Sequence, residues 1–348
     1  CLPNKLMGVF QFDTYAAERV LNLITPENII ELCALNAMNR PAALQANVPF
    51  MYAQRKTGKT KIEYSHPLME EILKETYGLI IYQEQVMEIA NKIGGLTPAE
   101  TDKFRKVLVK VTESNKEKED KERISLIDKF QVGALEKGMS PDDIVSLSEK
   151  LIYFSGYGFN KSHSRSYALL AYYTMYLKTY FYPEFLTAYL NKRPENLDRA
   201  IREAGFDMFL PVDVNQSNNS FILDESGRIR VGFSAIKGLG AVAVKEIVEK
   251  RPFMDLDDLK NKVEKRKVNK TRISALIKSG ALTSLKVKTN LESELQVLGI
   301  PLWSIKKQLF LIKRLKNDLR LPARGSQVLN NEDIDYVEDG TSVISLGF

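Results

Sequence analysis

The sequence predicts a mainly α fold, with a helical domain followed by a small α+β region that contains a helix-hairpin-helix element. Helix starts that contain proline recur through the first two hundred residues, and short strand-like segments follow Asp207. A glycine pair then precedes an apolar helix that starts near residue 241. We therefore expect a helical domain at 1–205, a mixed region at 206–290 and a basic C-terminal segment with a polar tail at 291–348.

The helical domain is predicted from its N-terminal capping signals. Thr97 to Glu100 supplies an N-cap hydroxyl, a proline at the first helical position and a glutamate that can accept a bond from the cap N–H. Ser140 to Asp143 repeats the pattern with Asp in place of Glu. Thr25 to Asn28 is a third predicted start, because apolar residues at helical spacing follow it.

The mixed region is predicted from three short apolar segments. Leu210 to Val214, Ser220 to Leu223 and Ile229 to Gly232 predict strands, and the turn at Glu225 to Gly227 predicts a hairpin between the last two. Helices are expected to resume in the two segments that follow. These are Ala241 to Lys250 and Lys270 to Ser279.

Composition narrows the class of protein. In 348 residues, 44% hydrophobic and 27% charged side chains exclude wholesale disorder. Two cysteines and two histidines cannot form a disulfide framework or an ordinary four-ligand zinc site. The uncharged stretch Ser166 to Leu177 is too short to span a bilayer, and no signal-peptide pattern opens the chain. We expect a cytoplasmic protein that makes no contact with a membrane.

The positive charge is concentrated in the last third of the chain. The net charge is only +6, yet Lys260 to Lys288 holds ten Lys and Arg residues against the single acid Glu264. A second basic stretch runs from Lys306 to Arg324. One basic run alone is more typical of a solvated surface, whereas two favour a protein that binds a polyanion.

Basic residues also follow one face of the helix predicted after Thr97. Lys103, Lys106 and Lys110 are spaced three and four apart, and Arg105 lies beside them. Cations fixed on a rigid face can bind a triphosphate and stabilise the charge that develops as pyrophosphate leaves. Spacing alone favours the alternative, a solvated helix face.

A second candidate anion site is the segment Gly156 to Ser164. Its glycines relieve the backbone, and Asn160, Lys161 and His163 offer hydrogen-bond donors in a row just before a predicted helix. This composition suits a loop that faces phosphate. Neither histidine has a companion at zinc-ligand spacing, so we reject a metal role for His163.

Aromatic residues are dense between Tyr167 and Tyr189. They could stack on bases, but their spacing favours a buried helix flank. Between Tyr77 and Gln85, polar side chains follow an apolar run, which is typical of the end of a strand or a helix.

The segment Lys237 to Gly240 fits the hairpin of a helix-hairpin-helix element. Such a hairpin directs backbone N–H groups at a DNA phosphate from a helix N-terminus. An ordinary tight turn is the alternative, and the adjoining basic stretch favours nucleic acid. The predicted DNA-binding residues are Lys237, Gly238, Gly240, Lys245, Lys265, Arg266 and Lys267.

Several motifs in a fixed order resemble the fingers region of the C-family replicative DNA polymerases, the bacterial DNA polymerase III alpha subunits. They are Gly8 to Asp13, Asn39 to Pro41, Glu75 to Gly78, Tyr82 to Met87, Arg105-Lys106 and Tyr157 to His163, followed by a helix-hairpin-helix match at Lys237 to Gly240 and Ser279 to Leu282. The resemblance covers about residues 8 to 300 and implies a DNA-directed DNA polymerase whose fingers domain is 1–205.

The resemblance also implies site residues. Those implied to line the pocket for the incoming nucleotide and the primer end are Arg40, Arg105, Lys106, Lys110, Asn160, Lys161 and His163. Implied supporting positions are Tyr82, Gln83 and Gln85. The chain departs from the family pattern at Arg40 to Ala43, where the family commonly has Arg-Pro-Gly-Pro, and in a less basic run after Lys106.

The family performs nucleotidyl transfer with palm aspartates that precede the motif at Gly8. We therefore expect no catalytic or metal-binding residue in this chain, which alone is expected to be inactive. Mg²⁺ is expected on a palm carried by an N-terminal polymerase segment. Asp255 to Asp258 is a predicted helix start and Asp333 to Asp335 lies in the polar tail, so neither predicts a metal pair. The other implied partners are primer-template DNA and deoxynucleoside triphosphates.

Several alternatives stay open. Gln308 to Ile312 resembles a sliding-clamp peptide but fits a buried strand or helix edge as well. A chain that opens with Cys1 could be the product of protein splicing or an excerpt of a longer chain. Its origin, bacterial or phage, is undecided. The functional alternative to a polymerase portion is a non-catalytic DNA-binding module, or remnant, that kept the fingers fold.

Overall fold

The computed structural model describes residues 6–109, 116–155, 158–300 and 302. It divides into two compact units, Cys1–Phe185 and Leu186–Phe348. The described residues are mainly helical with one small sheet, which confirms the predicted fold class. Residues 186–205 group with the second unit, and the predicted domain boundary after residue 205 stays a prediction. Outside the described residues lie Cys1, Lys110, Gly156, Tyr157, the basic stretch 306–324, the clamp-like segment 308–312 and Asp333 to Asp335.

The first unit is built from ten helices of the described residues, and an eleventh crosses into the second unit. They are α1 (Tyr15–Leu23), α2 (Ile29–Met38), α3 (Pro41–Gln45), α4 (Val48–Lys56), α5 (Pro67–Leu73), α6 (Gln83–Lys92), α7 (Pro98–Val109), α8 (Lys116–Glu136), α9 (Pro141–Ser155), α10 (Lys161–Tyr180) and α11 (Tyr182–Lys192).

Two of the three predicted helix starts are confirmed. Thr97 and Glu100 form the capping box of α7, with the Thr97 N–H donating to Glu100 Oε2 at 2.9 Å and the Glu100 N–H donating back to Thr97 Oγ1 at 3.4 Å. Ser140 Oγ accepts a bond from the Asp143 N–H at 3.2 Å before α9. The start at Thr25 is wrong. The helix begins at Ile29, because the Asn28 side chain accepts from the Glu31 N–H and acts as the N-cap.

Two hydrophobic cores meet within the first unit. One lies among α1 to α4 and includes Ile81 and the buried ring of Tyr82. The other lies among α5 to α9, where the Phe104 and Phe130 rings stack 5.7 Å apart, and includes Val86. The segment from Ile81 to Val86 therefore runs from one core into the other and fixes the start of α6.

Small residues line the contact between α10 and α2, and this overturns one prediction. Ser164, Ala168 and Ala171 are buried and are spaced so that they share a face. The larger rings therefore project away: Tyr172 is 51% exposed and Tyr180 is 67% exposed. The expectation that the aromatic segment forms a buried flank is wrong for these residues.

The second unit combines short strands with short helices. The strands are β1 (Phe209–Leu210), β2 (Ile222–Leu223) and β3 (Ile229–Arg230), and the helices are α12 (Leu197–Ala204), α13 (Ala241–Lys250), α14 (Leu256–Lys262), α15 (Lys270–Lys278) and α16 (Leu291–Leu298). The sheet order is β1-β3-β2, with β1 parallel and β2 antiparallel to β3.

The strands are confirmed as a hairpin but are shorter than predicted. Phe209 pairs with Ile229, and Leu223 pairs with Ile229 from the other side. The first strand ends before Pro211, which has no N–H for a ladder bond. Asp213 then turns the chain, since its Oδ1 accepts from the N–H groups of Asn215 and Gln216.

Candidate nucleotide and nucleic-acid interface

The predicted phosphate-facing loop is joined to the chain before α6. The Phe159 N–H donates to the Ile81 carbonyl at 3.2 Å, and the Gln83 N–H donates to the Phe159 carbonyl at 2.9 Å. Tyr82 and Phe159 thereby form an isolated parallel β-bridge. Two motifs that are 77 residues apart in the sequence thus share one small site.

Gln83 links Arg105 to this loop. Its Oε1 accepts from Arg105 Nη1 at 3.1 Å, and its Nε2 donates to the Gly158 carbonyl at 3.2 Å. Position 158 has no room for a side chain, because a Cβ would lie 2.8 Å from the Phe154 ring and 3.2 Å from Gln83 Cγ. Glycine therefore allows the close approach that the Gln83 bond requires.

Glu84 holds the start of α10. Its Oε1 accepts from Asn160 Nδ2 at 2.8 Å, and its Oε2 accepts from the Lys161 N–H at 2.9 Å. Asn160 is the N-cap of α10, with Oδ1 accepting from the His163 N–H at 2.7 Å. The Asn160 side chain and the Lys161 N–H, which we predicted to face phosphate, are therefore bonded within the protein.

Gln85 supports the bend before α6 from inside the core. Its Oε1 accepts from the N–H groups of Ile81 and Tyr82 at 2.8 and 3.0 Å. Its Nε2 donates to Thr76 Oγ1 at 2.8 Å. The ring of Tyr82 is buried beside it, and burial raises the pKa of the Tyr82 phenol. Gln85 and Tyr82 therefore both fix the backbone before α6.

The cations of the site are paired with carboxylates. Asp102 binds Arg105 Nη2 through Oδ1 at 3.0 Å and Lys106 Nζ through Oδ2 at 2.5 Å. The hydrogen bond from Lys106 and, to a smaller extent, the one from Arg105 lower the pKa of Asp102. Lys161 forms an ion pair with Glu75, and both side chains are about three-quarters buried, with exposed fractions of 28% and 25%.

Arg40 and His163 belong to a stack of side chains on the same loop. The Arg40 guanidinium carbon lies 4.2 Å from the centre of the Phe159 ring, a cation–π contact. The His163 ring lies 5.4 Å from Phe159 and 3.9 Å from Tyr167. Arg40 Nε also donates to the Ala37 carbonyl at 3.0 Å, and burial lowers the pKa of this guanidinium.

The structure thus brings most of the predicted nucleotide-site residues together. These are Arg40, Tyr82, Gln83, Gln85, Arg105, Asn160, Lys161 and His163. Lys106 Nζ is paired with Asp102 Oδ2, and the Lys106 side chain is 62% exposed. Lys110 lies outside the described residues.

Sequence reasoning missed the acids of this site. Asp102 precedes Arg105 and Lys106 by three and four residues, and this spacing is a readable signal for helical ion pairs. Glu75 and Glu84 lie in quoted motifs, but only the fold shows that they meet Lys161 and Asn160. One cation was missed as well. Arg165 is exposed one turn after Lys161, and its guanidinium makes no hydrogen bond or ion pair with the described residues.

The second unit contains the predicted hairpin. Gly238 has φ of 87°, a left-handed conformation that favours glycine, and Gly240 is the N-cap of α13. The Lys237 N–H is engaged, since it donates to the Val297 carbonyl at 3.0 Å. Lys245, on the second turn of α13, is exposed and 3.8 Å from Glu249.

The basic stretch carries less net charge than the sequence count indicates. Acids from outside the stretch pair with three of its lysines: Lys260 with Asp257 at 3.0 Å, Lys262 with Asp258 at 2.8 Å, and Lys267 with Glu246 at 3.0 Å. Glu264 and Glu246 together raise the pKa of Lys267. The exposed cations without an ion-pair partner among the described residues are Lys265, Arg266, Lys270, Lys286 and Lys288.

Within the described ranges, no three His, Cys, Asp or Glu side chains are grouped so that they could hold a metal ion. No helix in that part of the chain is both long and apolar enough to cross a membrane.

Comparison with known proteins matches two segments to families. Residues 3–131 match the family model of the bacterial DNA polymerase III alpha subunit finger domain. Residues 208–290 match a helix-hairpin-helix motif. The second match covers the hairpin before α13 as well as α14 and α15.

Curated relatives that match most of the chain agree with these two matches. The chain is 37% identical to the DNA polymerase III subunit alpha of Aquifex aeolicus over 82% of its own length and 25% of the relative. It is 37% identical to that of Borreliella burgdorferi over 80% and 24%, and 35% identical to that of Pseudomonas aeruginosa over 80% and 24%. The chain therefore matches a portion of DNA polymerase III subunit alpha and spans about a quarter of the length of these curated relatives. The resemblance predicted from the motifs is confirmed.

Proposed function

We propose that this chain supplies the fingers and the DNA-binding region of a DNA-directed DNA polymerase that acts in replication. The observation that carries the proposal is the site around Gln83, where Arg105, the loop at Phe159 and the start of α10 are joined by hydrogen bonds. The relatives' name and the finger-domain match give the class of reaction.

The first unit would bind and orient the incoming deoxynucleoside triphosphate. Arg40 is held by Phe159, and Arg105 is held by Gln83 and Asp102, so both cations are oriented before a ligand arrives. Preorganised cations stabilise the charge that develops on a leaving pyrophosphate without a reorganisation cost. Lys161 would exchange its Glu75 partner for a phosphate oxygen.

The remaining parts of the reaction would lie on a preceding polymerase segment. The resemblance implies that Mg²⁺ is bound there by palm carboxylates, where it supplies Lewis-acid chemistry to the transfer. The described residues of this chain include no group of His, Cys, Asp or Glu side chains that fits the ion. We further propose a cytoplasmic location, and clamp binding stays a prediction.

The second unit would bind the primer-template duplex. The hairpin at Gly238 and Gly240 is suited to direct N–H groups of α13 at a phosphate. Lys265 and Arg266, which are exposed and unpaired among the described residues, would add salt-dependent phosphate contacts. Lys267 would add less, because Glu246 and Glu264 already neutralise it.

The test uses Lys161→Ala and Arg105→Ala in the enzyme reconstituted with a palm-bearing segment. We expect each to raise the KM for the nucleotide or to lower kcat by about tenfold or more, while duplex affinity stays within about twofold. Lys92→Ala, which removes an exposed lysine from α6, is the control. Equal losses of duplex binding in both variants would contradict the proposed nucleotide site.

A non-catalytic DNA-binding module is the second candidate. The unpaired cations of the second unit favour it, because they can bind duplex whatever the first unit does. Duplex binding measured with and without the matching nucleotide separates the two. Tightening with nucleotide supports the polymerase portion, and salt-dependent binding that ignores the nucleotide supports the module.

A further inference from the structure

The first unit contains a cavity that none of the proposed polymerase contacts uses. Its volume is about 660 Å³, within the range that holds small ligands. Its walls come from α4, α5, α9 and the segments at residues 63–65 and 78–80. The apolar side chains that line it include Met51, Met69, Leu73, Leu147 and Phe154.

Two cations line the same cavity without a carboxylate partner. Arg55 is half-buried, and its side chain makes a single hydrogen bond with the described residues, from Nη1 to the Tyr77 carbonyl at 3.1 Å. Lys150 is exposed, and its ammonium group makes no hydrogen bond or ion pair with the described residues. A guanidinium taken partly out of water without a counter-ion is unfavourable, and burial accordingly lowers the pKa of Arg55.

The two acids at the cavity are engaged elsewhere. Asp143 accepts a hydrogen bond from Ser140 Oγ at 2.6 Å at the start of α9. Glu63 pairs with Lys61 at 3.2 Å, and both of these side chains are at least three-quarters exposed. Both acids thus have partners, whereas most of the N–H donors of Arg55 and those of Lys150 are available to a ligand.

We propose that this cavity binds a small organic anion with an apolar body and one carboxylate, sulfonate or phosphate group. The apolar walls take the body of the ligand. Arg55 and Lys150 bind the anionic group through charge-assisted hydrogen bonds. The inference does not depend on the proposed polymerase function, since no residue that lines the cavity belongs to the proposed nucleotide site.

A ligand in the cavity would contact a residue that packs against the candidate nucleotide site. Phe154 forms part of the cavity wall, and its ring packs where a Cβ on Gly158 would lie. Gly158 in turn accepts the hydrogen bond of Gln83. The cavity is thus one side chain away from the loop that holds Arg105.

The test is a titration of the full chain with sodium 2-naphthoate, followed by NMR of methionine methyl groups. Met51 and Met69 line this cavity, whereas Met175 lines a separate apolar groove beside α10. We expect saturable shifts at Met51 and Met69 and none at Met175. Shifts confined to Met175, or shifts that do not saturate, would overturn the proposal.

Matched variants test the role of charge. Lys150→Gln and Arg55→Gln should each weaken naphthoate binding by about tenfold and leave the affinity for neutral 2-naphthalenemethanol unchanged. Arg55→Lys, which keeps the charge, should weaken naphthoate binding less than Arg55→Gln does. Because Lys150 makes no contact on which the fold depends, its variant stays informative if Arg55→Gln unfolds. Equal affinity of the anion and the neutral alcohol would contradict the proposal.

Discussion

The two units hold their positive charge in different ways. In the first unit, Arg105 and Lys106 share Asp102 and Lys161 pairs with Glu75, so each cation has a set position. In the second unit, Lys265 and Arg266 are exposed and have no acidic partner among the described residues. The first arrangement suits a ligand that must be oriented, and the second suits a repeating phosphate backbone that needs only attraction.

The sharpest test of this contrast is Gln83→Ala, for which we expect the largest effect. The substitution removes the bonds to Arg105 and to the Gly158 carbonyl at once. Primer extension by the reconstituted enzyme should fall by about a hundredfold in kcat/KM, since small misplacements of an orienting group are costly. Gln131→Ala, which removes only a 3.5 Å contact to Ser148, is the control. Comparable losses in both variants would show that the Gln83 hydrogen bonds do not orient the cations of the first unit.

Duplex binding by the second unit should depend on the salt concentration and not on the exact orientation of its side chains. Substitution of both Lys265 and Arg266 by alanine should weaken duplex binding on the order of tenfold and reduce the salt slope of log K by about two, because each lost phosphate contact reduces it by about 0.9. The control replaces Lys260 and Lys262, whose ammonium groups are neutralised by Asp257 and Asp258. An equal change in slope for the control pair would show that pairing in the structure does not matter.

Arg165 tests whether an unpaired cation in the first unit behaves like those in the second. Arg165→Ala should raise the nucleotide KM by about fivefold, because an exposed ionic contact contributes on the order of 1 kcal/mol. Arg165→Lys should restore most of the loss, and Arg19→Ala on α1 should have no effect. A drop in kcat with KM unchanged would argue that Arg165 positions other residues and does not bind the nucleotide.

The smallest expected effect concerns the start of α7, which carries Arg105. The Lys129 ammonium and the Thr97 cap lower the pKa of Glu100 to about 2 from its ordinary 4.5. The carboxylate therefore stabilises the fold fully above pH 4.5, and this contribution is lost as the pH falls towards 2. Between pH 6 and pH 3, the melting temperature should fall less for Glu100→Gln than for the wild type. An identical fall in both proteins would show that Glu100 does not have this role.

Local signals predicted the helix starts of the first unit well. Thr97 and Ser140 act as caps because their partners lie three residues away, within reach of any sequence pattern. Asn28 replaced Thr25 as a cap, because Glu31 also binds the Glu27 N–H and fixes the chain just before the helix. The Glu31 carboxylate is also bound by Lys56 and Tyr77, and these long-range contacts cannot be deduced from the spacing of the candidate caps.

The candidate site was predicted in its cations but not in its hydrogen bonds. The motifs pointed to Arg40, Arg105 and Lys161 but not to the carboxylates that hold two of them; the spacing of Asp102 before Arg105 is a local signal, whereas the pairing of Glu75 with Lys161 is shown only by the fold. The charge count failed for the same reason in the second unit, where Asp257 and Asp258 lie just outside the stretch that was counted. The aromatic segment was misjudged because the small residues of α10, not its rings, meet α2.

The stack around His163 gives the loop an intrinsic spectroscopic reporter. The imidazole lies between the Phe159 and Tyr167 rings, at 5.4 and 3.9 Å, and the chain has one other histidine, His66. Ring currents from both neighbours should displace the His163 proton resonances from those of an ordinary imidazole. Loosening of the loop would return them towards the ordinary position, so a one-dimensional proton spectrum can follow its order without any label.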